Sequence, residues 1–401
     1  MNIKNVLKKN KFLYDLNMKW KAYFIKKKYY SLKKHYEKLA SKEDSIYRKI
    51  EFSNRIDDLL KKENINYKKL FKKRLNILYI GTDAGQDFGG IIQGLKKFGK
   101  VFLFSQETGI YGQMLPDARE DAAEFNGERL LEIVKNILKS SCIDIIIGQM
   151  WASTMEPKTL QEIRKMGIPV VNISMDDRHT FKNAFNTTRV NRKLSGAAGL
   201  IGSIDLACTS ARECCLWYQI EGCPSIYLPP ASDPELYHPH TNPKLYDVCF
   251  VGANYGIRTK IVNAIEKRGI NVMCYGNGWP NGRIELKKLP QIFAHSRIIL
   301  GIGTIGHCTD FYGLKMRDFD GPMSGSLYIT HNNPDLYDLF KVDKEIITYN
   351  TQKECADKIV YYLSNIDEAE AIAKLGRKRA EQEHTWEKRF KKIFQTIGIM
   401  R

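Results

Sequence analysis

Leu75-Asn76-Ile77-Leu78-Tyr79-Ile80-Gly81 is a short apolar run that stops at a glycine, and Tyr246-Asp247-Val248-Cys249-Phe250-Val251-Gly252 starts the same pattern again far downstream. Apolar residues on consecutive positions suit a parallel strand buried on both faces. After the first run comes a loop with Gly85, Gly89 and Gly90, then a helix-like stretch to Lys97. Further strands read at 101–104, 143–148, 169–173, 206–209 and 226–228, with helices at 128–139 and 157–166 between them. Pro229-Pro230 and the polar run 232–242 read as a linker. Beyond it, strands at 246–252, 271–276, 298–301 and 326–330 alternate with helices at 258–268, 289–295, 353–363 and 368–383, and a last helix reads at 386–399. Strands alternating with helices imply a doubly wound parallel sheet. The expected fold is therefore α/β: two tandem Rossmann-like doubly wound parallel sheets facing a cleft. The expected division is 1–70, 71–235, 236–385 and a C-terminal helix 386–401.

The first 70 or so residues differ in composition. The chain has a net charge of +18, yet residues 1–74 hold 23 Lys+Arg against 8 Asp+Glu, so the remainder is close to neutral. The basic character thus belongs to an N-terminal extension, which argues against nucleic acid as a partner of the whole chain. Leu13, Leu16, Trp20 and Phe24 recur at helical spacing, Tyr36 and Leu39 continue a weaker stripe, and Ile46, Ile50, Ile56 and Leu60 mark a second helix. Two readings stay open. In one, the arm lies on an anionic membrane surface with Trp20, Tyr23 and Phe24 in the interface. In the other, it is a solvated helical extension packed on its own body or on a second copy.

Nine cysteines without zinc-finger spacing fit a reducing cytosol, and no run of 18–20 apolar residues or signal-peptide h-region occurs. The expected location is cytoplasmic, peripheral on the inner face of the cell membrane if the arm binds lipid.

The densest chemistry lies in Gly313-Leu314-Lys315-Met316-Arg317-Asp318-Phe319-Asp320-Gly321-Pro322-Met323-Ser324-Gly325. A nucleoside diphosphate needs cations for its phosphates, a carboxylate for its ribose diol and a glycine for close backbone approach. Lys315, Arg317, Asp320, Ser324 and Gly325 supply all three within a dozen residues. A surface helix with ion pairs and a glycine C-cap is the plainer reading of the same residues.

Lys315-x-Arg317-x-Phe319-Asp320-x-Pro322-x-x-Gly325 resembles the signature of CgeB-like (spore maturation protein) glycosyltransferases, which belong with the group 1 transferases of GT-B fold. Phe250-Val251-Gly252 with Arg258, Tyr275-Gly276-Asn277-Gly278-Trp279, residues 344–349 and His384-Thr385-Trp386 through Arg389 resemble further motifs of that group. The likeness covers residues 245–390 well, 74–235 loosely, and not the arm. It implies a GT-B fold with a donor site in the second half. Lys315, Arg317 and Arg258 would hold the diphosphate, Asp320 the ribose, and Tyr275 and Gly276 would line the donor site. Asp320 stands where the signature has glutamate. The position eight residues upstream of it, a first glutamate in related transferases, is Tyr312.

In the first half, Asp176-Asp177-Arg178-His179 follows a buried strand. Asp177 or His179 would serve as the base that activates an acceptor hydroxyl; an N-cap aspartate beside a loop histidine is the alternative. Gln149-Met150-Trp151 would line an acceptor pocket. His307, Cys308 and Asp310 lack the ligand number and spacing of a zinc site and would border the donor site. The expected function is transfer of a sugar from a nucleoside-diphosphate sugar, with UDP, GDP or dTDP open, to a glycan, lipid-linked or protein acceptor. No tightly bound cofactor and no metal are expected. A nucleotide-sugar epimerase on the same fold and a non-enzymatic surface-assembly or membrane-adaptor protein are the alternatives.

Overall fold

The computed structural model describes residues 11–42, 73–115, 120–183, 194–241 and 243–400. The second helix expected around Ile46–Leu60 lies outside the described residues, as does Asn242 of the linker.

The described residues form two compact units. In one, β1 (Leu75–Ile80), β2 (Gly99–Leu103), β3 (Ile145–Gly148), β4 (Val170–Ser174), β5 (Leu206–Thr209) and β6 (Ser225–Tyr227) make a parallel sheet in the order β2-β1-β3-β4-β5-β6. In the other, β7 (Tyr246–Val251), β8 (Val272–Tyr275), β9 (Ser296–Leu300), β10 (Leu327–His331) and β11 (Ile347–Tyr349) make a parallel sheet in the order β11-β10-β9-β7-β8. Both sheets are doubly wound, as expected. The order reverses between β1 and β3 in the first sheet and between β7 and β9 in the second. At such a switch point the loops leave in opposite directions and open a crevice at the strands' carboxyl ends.

The second sheet shows why the strands read as unbroken apolar runs. Val248, Phe250, Ile298 and Leu300 enter one core layer, with Ile261 and Ile265 of helix Arg258–Glu266. Cys249, Ile299 and Tyr328 enter the opposite layer, with Phe319 and Met323 of helix Arg317–Met323. Successive side chains alternate between faces, and both faces are covered.

The termini do not form separate bodies. The last helix, Trp386–Thr396, clusters with the first sheet. It buries Trp386, Phe390, Ile393 and Phe394, and Arg389 donates from Nε to the Pro229 carbonyl at 2.8 Å. A Cβ on Gly94 would lie 2.6 Å from Cβ of Trp386, so only glycine permits this approach. The first helix, α1 (Lys11–Lys42), clusters with the second sheet up to Tyr30 and with the first from Ser31.

Of the expected residues, its packed stripe takes in Tyr36 and Leu39 only. Met18, Ala22, Ile25, Tyr29, Leu32, Tyr36 and Leu39, three and four apart, are buried or half-buried. Tyr29 lies 4.8 Å from the Phe311 ring, and Tyr36 stacks on Trp217 at 5.4 Å and donates its hydroxyl to Glu221 at 2.6 Å. Leu13, Leu16, Trp20 and Phe24 line the other face and are exposed.

Candidate nucleotide-binding site

Arg317 opens the helix that precedes β10. Its Nη1 donates to the Val251 carbonyl at 2.6 Å and its Nη2 to the Ile302 carbonyl at 3.2 Å. Those carbonyls stand at the carboxyl ends of β7 and β9, so the guanidinium spans the switch point of the second sheet. Arg258, at the start of helix α2 (Arg258–Glu266), donates from Nη1 to the Ala253 carbonyl at 2.6 Å and from Nη2 to the Tyr255 hydroxyl at 2.9 Å. Both guanidiniums lie over the Phe250 ring, at 5.5 Å for Arg258 and 5.0 Å for Arg317. Burial, and then the neighbouring Arg317, hold the Arg258 pKa below the ordinary arginine value.

Neither guanidinium has a carboxylate within ion-pair distance among the described residues, and each has a buried Nε without a hydrogen-bond partner. Two like charges held side by side with unmet donors are costly unless an anion joins them. Gly252 makes room for both: a Cβ there would lie 2.8 Å from Nη1 of Arg317 and 3.2 Å from Nη1 of Arg258. Gly276, at φ +133, lies against the same turn. Its Cβ would meet the Gly252 carbonyl at 2.4 Å, and the Gly252 N–H donates to the Tyr275 carbonyl at 2.7 Å. Lys315, two residues before Arg317, is half-buried, and its ammonium has no carboxylate partner among the described residues. Arg258, Arg317, Tyr275 and Gly276 thus gather at the carboxyl ends of β7, β8 and β9.

His331, at the end of β10, joins this group without having been expected. Burial and the Arg258 cation hold its pKa down to about 4. Its Nδ1 accepts the Gly303 N–H at 3.3 Å, so the proton of the neutral ring sits on Nε2.

The other sequence-derived candidates fall elsewhere. Ser324 and Gly325 form the C-terminal end of the helix α3 (Arg317–Met323) that Arg317 begins, about 10 Å further along its axis. The Ser324 N–H bonds to the Asp320 carbonyl at 3.0 Å, the Gly325 N–H to the Pro322 carbonyl at 3.0 Å, and the Ser324 hydroxyl to the Gly321 carbonyl at 2.7 Å. Gly325, at φ +75, closes the helix in the left-handed conformation. The donors of these two residues, expected in the nucleotide site, serve a helix cap here. Asp320 is buried, and burial raises its pKa well above the usual carboxylate range, with Ser232, Asp233 and Arg317 near it. One of its oxygens has no hydrogen-bond partner. Asp318 accepts the Lys315 N–H and the Tyr328 hydroxyl, both at 2.6 Å, and holds the helix start.

In the first sheet's unit, Asp177 is buried beneath the end of β4. Its Oδ1 accepts the Ser174 hydroxyl at 2.5 Å and the Tyr218 hydroxyl at 3.0 Å. Burial lifts its pKa to about 6. His179 is nearly buried, with Nε2 3.9 Å from Asp176. Asp177 is thus held inside a hydrogen-bond network and His179 is largely covered, where an exposed base was expected. Gln149 is not a pocket wall either. It donates from Nε2 to Asp87 at 2.7 Å, and Asp87 also accepts from Tyr79, Tyr111 and the Thr82 N–H, each at 2.9 Å. Sequence reading flagged the glycines around Asp87 but not this carboxylate, although an aspartate inside a glycine-rich strand–helix loop was the available signal. His307, Cys308 and Asp310 border helix α1: Lys26 pairs with Asp310 at 2.6 Å, and the Cys308 thiol lies 3.6 Å from the Ala22 carbonyl.

Residues 258–395 match a family model described as glycosyl transferase-like, and this span contains Arg258, Lys315, Arg317 and Asp320. No curated protein matches the sequence. Among solved structures, sucrose-phosphate synthase from Thermosynechococcus elongatus aligns at a TM-score of 0.55 and 12% identity, over 80% of this chain and 98% of that one. The Anabaena protein Alr3699/HepE, solved in complex with UDP and glucose, aligns at 0.54 and 12% identity, over 81% and 99%. A glycosyltransferase from Rickettsia africae ESF-5 aligns at 0.55 and 12% identity, over 81% and 98%. These likenesses establish the fold as the twin-sheet α/β fold of GT-B glycosyltransferases.

Proposed function

We propose that this chain is a glycosyltransferase that moves a sugar from a nucleoside-diphosphate sugar to a hydroxyl acceptor. One observation carries the reading: Arg258, buried, and Arg317, half-buried, hold two positive charges side by side at a switch point, each with an unmet Nε donor and no carboxylate within ion-pair distance among the described residues. A pyrophosphate is the anion that such a pair suits. As the bond between the anomeric carbon and the phosphate oxygen breaks, negative charge builds on the departing diphosphate. Two guanidiniums already fixed by backbone carbonyls stabilise that charge without reorganising. Lys315 adds a third, movable cation, and no metal is needed for this neutralisation. Neutral His331 offers an N–H donor beside them. Asp320 is the ribose ligand in this reading. The glycosyl transferase-like match over 258–395 supports the proposal, and the UDP complex of the similar Anabaena protein makes UDP the first nucleotide to try. The CgeB-like affiliation is the narrower form, resting on the Lys315-x-Arg317-x-Phe319-Asp320 signature.

A panel of UDP-, GDP- and dTDP-sugars tests it. At least one should bind and be turned over to free nucleotide, faster with an acceptor alcohol present. Turnover to an epimer without any acceptor would favour an epimerase, and binding of none would end the proposal.

We further propose that the acceptor is met at an anionic membrane surface. Leu13, Leu16, Trp20, Tyr23 and Phe24 are 40–55% exposed on the outer face of α1, with Trp20 stacked on Phe24 at 5.9 Å and Lys27 5.7 Å above Tyr23. Aromatic residues among lysines suit an anionic lipid interface. No helix among the described residues is long and apolar enough to cross a membrane. Co-sedimentation with phosphatidylserine vesicles should fall when Trp20 and Phe24 are both changed to Ser. Equal sedimentation would remove this part.

A further inference from the structure

Beside Tyr255, whose ring lies 3.9 Å from the Arg258 guanidinium, lies a groove of about 470 Å³ within the second sheet's unit. A volume of that order is ample for a phosphorylated small molecule. One wall is α1, through Lys19. The others are Asn254, Tyr255 and Lys260 around the start of α2, His307 in the loop after β9, and Gln352, the first residue of helix α4 (Gln352–Ser364).

Every charged feature of this lining has the same sign. Lys19 and Lys260 have no ion-pair partner among the described residues, and no aspartate or glutamate lines the groove. The carboxylates nearest along the chain are already engaged: Asp310 with Lys26 at 2.6 Å, and Glu354 with Lys358 at 2.9 Å. Two helices of nine and thirteen residues, α2 and α4, begin at the groove and bring the positive ends of their dipoles to it. Burial and Lys21 lower the pKa of His307, whose ring stands 5.9 Å from Tyr255. The residue from the N-terminal extension is held in place. On the same helix, Ile25 packs at Gly306, Tyr29 on Phe311, and Lys26 on Asp310.

We infer that this groove binds the phosphate groups of a phosphorylated ligand, with Lys19 of the N-terminal helix and Lys260 of α2 as its charged walls. The basic helix is then part of a binding site. The inference stands without the transferase reading. The phosphate could be carried by the nucleotide or by a second, acceptor-side phosphorylated molecule, and the chemistry of recognition is common to both.

Isothermal titration of the full chain with inorganic pyrophosphate tests it, using Lys19→Gln, Lys260→Gln and, as a control on the same helix away from the groove, Lys34→Gln. All three lysines are exposed, so folding is spared. Each groove variant should weaken binding by about tenfold, the loss of one charge-assisted contact, and Lys34→Gln should not. Wild-type affinity in both groove variants, or an equal loss in Lys34→Gln, overturns the inference. A parallel titration with UDP assigns the source. A matching loss puts the nucleotide's phosphates in the groove, and unchanged UDP affinity gives the groove to another phosphorylated ligand. A chain that binds pyrophosphate through Lys19 but no nucleotide would sink the transferase reading and leave this one standing.

Discussion

The two sheets have equivalent crevices, filled in opposite ways. At the β1/β3 switch point, the Asp87 carboxylate is buried and accepts four hydrogen bonds, from Tyr79, Gln149, Tyr111 and the Thr82 N–H. At the β7/β9 switch point, Arg317 and Arg258 cap backbone carbonyls and keep unpartnered Nε groups, and the buried Asp318 and Asp320 near Arg317 stop short of an ion pair. The first crevice is chemically closed upon itself. The second keeps unmet donors on two cations. A buried polar group that is fully satisfied stabilises a fold, whereas one left unmet in a stable fold points to a ligand. On the proposed reading, the same topology serves as scaffold in one unit and as an anion site in the other.

The comparison breaks first at Asp87. Asp87→Ala strands two tyrosine hydroxyls, an amide and a backbone N–H. It should cost about 4 kcal/mol in urea unfolding, at roughly 1–3 kcal/mol for each unsatisfied buried group. A loss under 1 kcal/mol would mean that the network is not holding the loop.

Asp177 sharpens the same contrast through pH. Its folded pKa of about 6 is above the usual carboxylate value of 3.8, so its stabilising contribution is whole below pH 3.8 and is lost as pH rises through 6. Asp177→Asn keeps the acceptor for Ser174 and Tyr218 without the charge. Its stability relative to wild type should climb by about 2–3 kcal/mol between pH 4 and pH 7. A difference that stays flat with pH would show that Asp177 is not buried as an acid.

In the second crevice, Gly252→Ala places a methyl 2.8 Å from the Arg317 guanidinium. We expect UDP affinity to fall about tenfold, or roughly 1.4 kcal/mol, with the circular dichroism spectrum unchanged. Unaltered affinity would mean that the arginines can shift without consequence.

These contrasts bear on what could be read in advance. The strands were legible because β1, β3 and β7 are covered on both faces and so carry unbroken apolar runs. The Lys315-x-Arg317 pair was legible because the two cations adjoin in sequence. Arg258 joined that pair only through the family resemblance, since the chain between it and Arg317 makes two strands and a long loop before they meet over Phe250. Ser324-Gly325 read two ways because a helix C-cap and close backbone approach to a nucleotide both call for glycine, and the cap is what the structure shows. Helix α1 carries two apolar stripes, and composition could not say which would find a partner. Tyr29 and Tyr36 pack, while Trp20 and Phe24 stay exposed. Asp87 went unread because its four donors come from four separate loops and strands.

Recognition of a diphosphate by the arginine pair is tested most directly by titrating Arg317→Met with UDP while following its thermal unfolding. Methionine keeps the bulk and removes a charge that repels Arg258. Affinity should fall about 100-fold while the melting temperature holds or rises. UDP binding at wild-type strength, or a loss of binding that only follows a loss of folding, would contradict it.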